Sequence, residues 1–199
     1  GLVTDIDRCV LIVALASLRD IRSAHEAATR VSINLASERL RDPNTLEDLL
    51  DPLFQSGLGT DCVTLEIQES TLLDDRSDVI AANIAALADA GFRIELDDFG
   101  TGHTALTSLR RFPVHQIKID RSLVTGIDSE PASRAIVDAI SRLAAQLGIG
   151  VIAEGVETHA ELAALRGLGI ARVQGNLISP TVSPHDLCQW LERRKSVDP

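Results

Sequence analysis

Six short apolar runs, each ending in polar or charged residues, alternate with stretches of helical periodicity along the whole chain. The runs are Val31-Ser32-Ile33-Asn34-Leu35, Val63-Thr64-Leu65-Glu66-Ile67, Arg93-Ile94-Glu95-Leu96, Gln116-Ile117-Lys118-Ile119-Asp120, Gly150-Val151-Ile152-Ala153-Glu154 and Ile170-Ala171-Arg172-Val173-Gln174-Gly175. The helical stretches are Asp7 to Leu18, Thr45 to Phe54, Ser77 to Ala90, Thr104 to Phe112, Pro131 to Leu147, His159 to Leu168 and Pro184 to Arg194. Gly57, Gly148 and Gly169 are expected to close helices, and Gly91 stands where a left-handed C-terminal turn is expected. Strict strand–helix alternation predicts an α/β fold with parallel strands and right-handed crossovers.

Either a closed eight-stranded barrel or an open doubly wound sheet satisfies that order. No glycine-rich phosphate fingerprint follows the first strand, which weakens the open dinucleotide-binding type. An open sheet concentrates its site at one switch point, whereas a barrel gathers every strand end around one mouth. All six strand ends here are polar, so the barrel is the expected form.

The residues at that mouth are Asn34, Glu66, Asp97, Asp98, Lys118, Asp120, Glu154 and Gln174. Most are oxygen donors of the kind that hard divalent cations prefer, Mg²⁺ or Mn²⁺ rather than zinc, and no His or Cys sits at a strand end. One such carboxylate is ordinary surface polarity. Several on successive strands repel one another unless cations lie between them. Asp97 and Asp98 are adjacent, and neighbouring strand residues point to opposite faces, so the pair can share a metal cluster only where the chain is turning. Gly100 and Gly102 are expected to allow that turn.

Bulk composition narrows the partners. The chain has 199 residues, most economically one domain, with 45% hydrophobic residues but only 3% aromatic. The core is therefore expected from Leu, Ile, Val and Ala. A formal net charge of −10 argues against DNA, RNA or an anionic membrane surface as a general partner. Cys9, Cys62 and Cys188 lack ligand-like spacing and read as small core residues of a protein in the reducing cytoplasm. No apolar run is long enough to cross a bilayer, and the first residues do not read as a signal peptide. The five histidines do not cluster by spacing and are expected at the surface or in local hydrogen bonds.

The ordered motifs Val31-Ser32-Ile33-Asn34-Leu35, Leu65-Glu66-Ile67-Gln68-Glu69-Ser70, Asp97-Asp98-Phe99-Gly100-Thr101-Gly102, Ile117-Lys118-Ile119-Asp120-Arg121, Ile152-Ala153-Glu154-Gly155-Val156-Glu157 and Gln174-Gly175 together resemble the EAL family of cyclic-di-GMP phosphodiesterases. The resemblance runs in order over nearly the whole chain. It implies a TIM-type (β/α) barrel in which two Mg²⁺ or Mn²⁺ ions hydrolyse one phosphodiester of cyclic di-GMP to linear pGpG. Residue by residue, it implies that Asn34, Glu66 and Asp97 bind one metal, and that Asp97 bridges to a second also held by Asp98. Glu154 matches the catalytic glutamate beside the metal-bound water, and Lys118 a cation that holds that water or the developing charge. Gln174 matches a polar contact in the mouth, and Glu69 a glutamate that steadies the loop after Asp98. Asp120 and Glu157 are placed near the substrate or in structural hydrogen bonds. The family also implies a homodimer, with a contact after the central loop at Thr104 to Phe112, and a sensory or GGDEF-type domain upstream.

The chain departs from the family pattern in several places. The Glu-Ala-Leu signature is missing, and the family's first two barrel strands belong upstream of Gly1, so residues 1–199 are expected to form one incomplete domain with six of eight strands. The missing glutamate is a metal ligand in the family, so impaired turnover is expected of this chain alone. Asn176 and His103 stand where the family carries aromatic residues, Gln68 replaces a threonine, and Pro180-Thr181 only loosely follows the final proline element. Loss of stacking on guanine follows from the first of these. The alternative is a cyclic-di-GMP receptor or scaffold of the same fold with little hydrolysis; a barrel enzyme of unrelated metal chemistry is the more distant third.

Overall fold

A computed structural model of the chain describes residues 2–25, 30–72, 78–101 and 106–195. Its strands are β1 (Val31–Asn34), β2 (Val63–Gln68), β3 (Arg93–Phe99), β4 (Gln116–Ile119), β5 (Gly150–Ala153) and β6 (Arg172–Val173). They form one sheet in the order β1-β2-β3-β4-β5-β6, every pair parallel. Among the described residues, β1 and β6 are each paired on one side only. The long helices are α1 (Leu2–Ala24), α3 (Thr45–Ser56), α5 (Asp78–Asp89), α8 (Pro131–Gln146), α9 (His159–Gly167) and α10 (Pro184–Lys195).

Four short helices and a 3₁₀ turn at Thr60–Cys62 complete the described elements. The helices are α2 (Ser37–Leu40), α4 (Glu69–Leu72), α6 (Leu106–Arg111) and α7 (Arg121–Val124). Three of them, α2, α4 and α7, follow directly on strand ends and were not expected, because a single turn is too short to print a 3.6-residue period. Ser77, Gly102, His103 and Thr104, all named in the sequence reading, lie outside the described residues.

Alternation along the strands separates two surfaces. Ile33, Val63, Leu65, Ile67, Ile94, Leu96 and Ile117 are buried in one apolar cluster with Leu11 and Leu15 of α1, Leu49 and Leu53 of α3, and Ile80, Ile84 and Leu87 of α5. A second cluster joins Ile119, Val124, Ile127, Val137, Ala153, Val156 and Leu165 around α7, α8 and α9. Burying each such aliphatic side chain is worth about 1.5–3 kcal/mol. The alternate positions, Thr64, Glu66, Glu95, Asp97, Gln116, Lys118 and Glu154, are polar and share the opposite face. A doubly wound sheet packs helices on both faces and reads apolar on both. Here the helices cover one face, as in the wall of a barrel, and the polar face is the interior.

Four expectations are corrected. β3 does not stop at Leu96 but continues to Phe99, through an irregularity in which Leu96 pairs with Ile117 and Phe99 with Ile119. The last strand is shortened to Arg172–Val173, although the chain beyond it stays bonded to the segment after β5: Gln174 N donates to Ala153 O, and Gln174 O accepts from Val156 N. Cys9 is exposed rather than a core residue, since it lies on the outward face of α1, while Cys62 is buried and Cys188 half-buried. His25 is not at the surface: it is 2% exposed, with its Nε2 3.9 Å from the Glu192 carboxylate of α10.

Candidate active site

The acidic pair at the end of β3 owes its geometry to one residue. Asp98 has φ 56°, the left-handed conformation that non-glycine residues seldom adopt. The ladder beside it counts three steps from Leu96 to Phe99 against two from Ile117 to Ile119, so one extra residue is inserted into β3. A bulge of this kind re-aims a side chain that a regular pleat would send to the other face. Asp97 and Asp98 thereby serve the same side without leaving the strand. Gly100, at φ 101°, turns the chain immediately afterwards, and its amide donates to Glu69 Oε2 at 2.9 Å. Glu69 itself is buried at the start of α4.

Lys118 is the centre of charge. Its Nζ lies 2.7 Å from Glu154 Oε1, 3.0 Å from Glu66 Oε1 and 3.1 Å from Asp97 Oδ1, so β2, β3, β4 and β5 all converge on one ammonium group. The lysine side chain is 5% exposed and the three carboxylates 12–17%. Burial opposes the lysine's charge, but the contacts with Glu154 and Glu66 outweigh it and raise its pKa above the ordinary lysine value. Lys118 is therefore a permanent cation. Glu154 is pushed the other way for a carboxylate: burial raises its pKa, Lys118 opposes the rise, and the Asp97 and Glu66 charges add to it. Asp98 is likewise raised, by burial first and then by the Asp97 and Asp120 charges.

One cation does not satisfy this set. Oxygen atoms of Asp97, Asp98 and Glu154 all lie within 4.8 Å of one another, a spacing that suits a shared divalent ion. Asp97 Oδ1 is buried and shares the Lys118 ammonium, at 3.1 Å, with Glu66 and Glu154. Several carboxylates around one ammonium leave negative charge uncompensated, and a divalent ion is the partner that this donor set fits.

The remaining sequence-predicted residues occupy different places. Asn34 pairs in register with Glu66, and the two line a cavity of about 540 Å³ together with Asp7, Ser37, Gln68 and Asp97. Asp120 is half-buried and accepts from Ser122 N, capping α7. Glu157 is exposed and pairs with Arg121 at 2.8 Å. Gln174 is exposed just beyond β6, its main-chain N donating to Ala153 O.

Two carboxylates near the site escaped the sequence reading. Glu95 is buried one step below Asp97 on the same face of β3, and burial, followed by the Glu66 charge, raises its pKa against Lys118, Arg93 and Arg172. The period-2 spacing of residues 93, 95 and 97 was the signal for it. Glu161 lies on α9 and closes a capping box with Thr158; the Thr-x-x-Glu spacing announces it.

Comparison with known proteins places this geometry. The chain is 33% identical over 171 residues to the cyclic di-GMP phosphodiesterase PA2567 of Pseudomonas aeruginosa, covering 86% of this chain and 29% of that protein. It superposes with a TM-score of 0.90 on the EAL enzyme Bd1971 solved with cAMP and cyclic-di-GMP bound, at 32% identity, covering 96% of this chain and 52% of the other. The manganese and cyclic-di-GMP complex of Klebsiella pneumoniae BlrP1 matches with a TM-score of 0.79 at 32% identity, over 87% of this chain and 44% of that one. The chain spans between a fifth and a third of the length of the curated relatives it matches. The EAL domain model matches residues 1–181, and the chain belongs to the EAL domain family.

Proposed function

We propose that this chain is the catalytic part of a phosphodiesterase that opens cyclic di-GMP to linear pGpG with the help of two divalent cations, Mg²⁺ or Mn²⁺. The observation that carries the reading is the meeting of Asp97, Asp98 and Glu154 oxygens within 4.8 Å of one another, beside a single ammonium shared by three carboxylates. Asp97 and Asp98, with Asn34 and Glu66 on the neighbouring strands, would hold the ions. When bound, such a pair supplies an activated water and neutralises charge on the phosphate. The chain's own residues do the rest. Glu154, beside the carboxylates that would hold the ions and 2.7 Å from Lys118, takes the proton that the attacking water gives up. Lys118, held protonated, offers its charge to the phosphate oxygens as negative charge accumulates there. One P–O bond breaks, water oxygen enters the phosphate, and the released 3′ oxygen takes a proton.

The sheet geometry supports a closed barrel of which residues 1–199 form six strands. Among the described residues β1 pairs on one side only, and Ile6, Val10, Ile12 and Val13 of α1 beside it are exposed. Two further strands of the same polypeptide would pair that edge, as the family's Glu-Ala-Leu strand implies. The protein is read as cytoplasmic and homodimeric, with a sensory or GGDEF-type domain upstream; among the described residues no helix is long and apolar enough to cross a membrane. The test is hydrolysis of cyclic di-GMP with Mg²⁺ or Mn²⁺ by this chain and by an upstream-extended form. Turnover that Asp97→Asn abolishes supports the enzyme. Tight binding without turnover in both forms replaces it with a receptor or scaffold.

A further inference from the structure

The loop Glu154-Gly155-Val156-Glu157-Thr158 carries the proton acceptor, and it is tied from two sides to the segment that follows Lys118. On the solvent side, the stem of Arg121 lies so close over Gly155 that a Cβ there would meet Arg121 Cβ at 2.7 Å and Cδ at 2.8 Å. The guanidinium of Arg121 then reaches Glu157. On the buried side stands Glu161, 5% exposed. Its Oε2 accepts from Glu157 N and Thr158 N, both at 3.0 Å, and its Oε1 accepts from Gly126 N at 3.1 Å. Glu161 N donates in turn to Thr158 Oγ1 at 3.1 Å.

Only the Glu157 and Thr158 contacts belong to an ordinary helix start. The bond to Gly126 crosses from α9 to the turn after α7, on the chain that runs on from Lys118 through β4. A circuit results: Lys118 leads through β4 and α7 to Gly126, which bonds Glu161, which holds the loop beginning at Glu154, which returns to Lys118 at 2.7 Å. Ile127 and Val156, both fully buried, fill the space inside it. Backbone donors hold the Glu161 carboxyl below its ordinary pKa in spite of burial, so the pin stays ionised at neutral pH.

We infer that Glu161 is a positioning residue that, beyond the β4–β5 ladder in which Glu154 N donates to Ile119 O at 3.0 Å, holds the loop after Glu154 against the turn after α7 and so keeps Glu154 in place beside Lys118, and that a carboxylate is required there because both of its oxygens accept. A glutamine keeps one acceptor for the helix start and turns an N–H₂ against the Gly126 N–H. This inference rests on the phosphodiesterase reading for its catalytic consequence, though not for the geometry itself.

The test uses the full polypeptide, with Glu161→Gln and Glu161→Ala, and Thr158→Ala as the variant that breaks the capping box alone. Glu161→Gln is expected to speed amide exchange at Gly126 while sparing Thr158, and to lower kcat by about 100-fold, the cost of a misplaced catalytic group, with KM within about threefold. Thr158→Ala is expected to lose far less of kcat. Folding is checked by circular dichroism, and Glu161→Gln stands in if Glu161→Ala does not fold. Fast Gly126 exchange with an unchanged kcat overturns the inference. If the unmodified protein turns over no cyclic di-GMP, the functional reading fails separately. The pin is then judged by Mn²⁺ calorimetry, where about tenfold weaker binding in Glu161→Gln, the scale of lost outer-shell support, upholds it and unchanged binding overturns it.

Discussion

Glu154 and Glu161 stand at the two ends of one loop, and their surroundings are opposite. Glu161 has a backbone or side-chain donor for each oxygen and is stabilised as an anion. Glu154 shares one lysine with two other carboxylates and is destabilised as an anion. Satisfied carboxylates build structure. Under-satisfied ones are poised to take a proton or a metal, and the fold holds them in place with interactions made elsewhere.

The largest effects should fall on the under-satisfied side. Asp97→Asn removes the proposed shared ligand and is expected to lower turnover by more than about 100-fold, beyond the loss typical of residues that merely support ligands, measured with Mn²⁺ at saturating cyclic di-GMP. Wild-type turnover in that variant would break the comparison. Lys118→Met strands three carboxylates and should cost about 3 kcal/mol in chelator, read from urea unfolding. Added Mn²⁺ should raise its melting temperature more than that of the unmodified protein; an equal rise in both would show that Lys118 does not balance the cluster.

Effects on the satisfied side are smaller and carry a pH signature. Glu161→Ala is expected to lose about 1–2 kcal/mol, the scale of a helix cap plus a charged hydrogen bond. The folded pKa of Glu161 lies below its unfolded value, so its contribution is complete above the unfolded carboxylate range and disappears as pH falls through the folded value. Acid unfolding of Glu161→Gln should lack that segment of the curve. Glu154 has the opposite sign. Its folded pKa is raised, so ionisation as pH climbs through the unfolded and then the folded value erodes stability. Glu154→Gln in chelator should therefore unfold at slightly higher urea at neutral pH, where Glu161→Gln unfolds at lower. Glu95→Gln, relieving a buried carboxyl with a raised pKa, should give the smallest gain; a loss would show that Arg93 and Arg172 need its charge.

Much of this architecture was legible before any coordinates. Six parallel strands in sequential order follow from apolar runs and turn glycines, because burial on the helix side leaves a period-2 trace. Lys118, Glu66, Asp97 and Glu154 could be nominated from their strand ends. What could not be read was finer long-range contact: that Glu161 reaches Gly126, or that His25 is buried against α10. One-turn helices such as α7 leave no period to detect. The sequence points to a turn at the glycines after Asp97 and Asp98 as what brings the pair to one side, whereas Asp98 itself adopts the left-handed conformation.

That extra residue in β3 makes the site a matter of counting. Substituting Asp98 leaves the strand one residue too long, with the kink intact and only a ligand gone. Deleting it would bring Leu96 and Phe99 back into step with Ile117 and Ile119, yielding a smoother ladder on which only Asp97 faces the interior. A descendant that abandoned the chemistry could therefore erase it by losing one codon and relieve backbone strain in doing so. This chain still carries the odd residue.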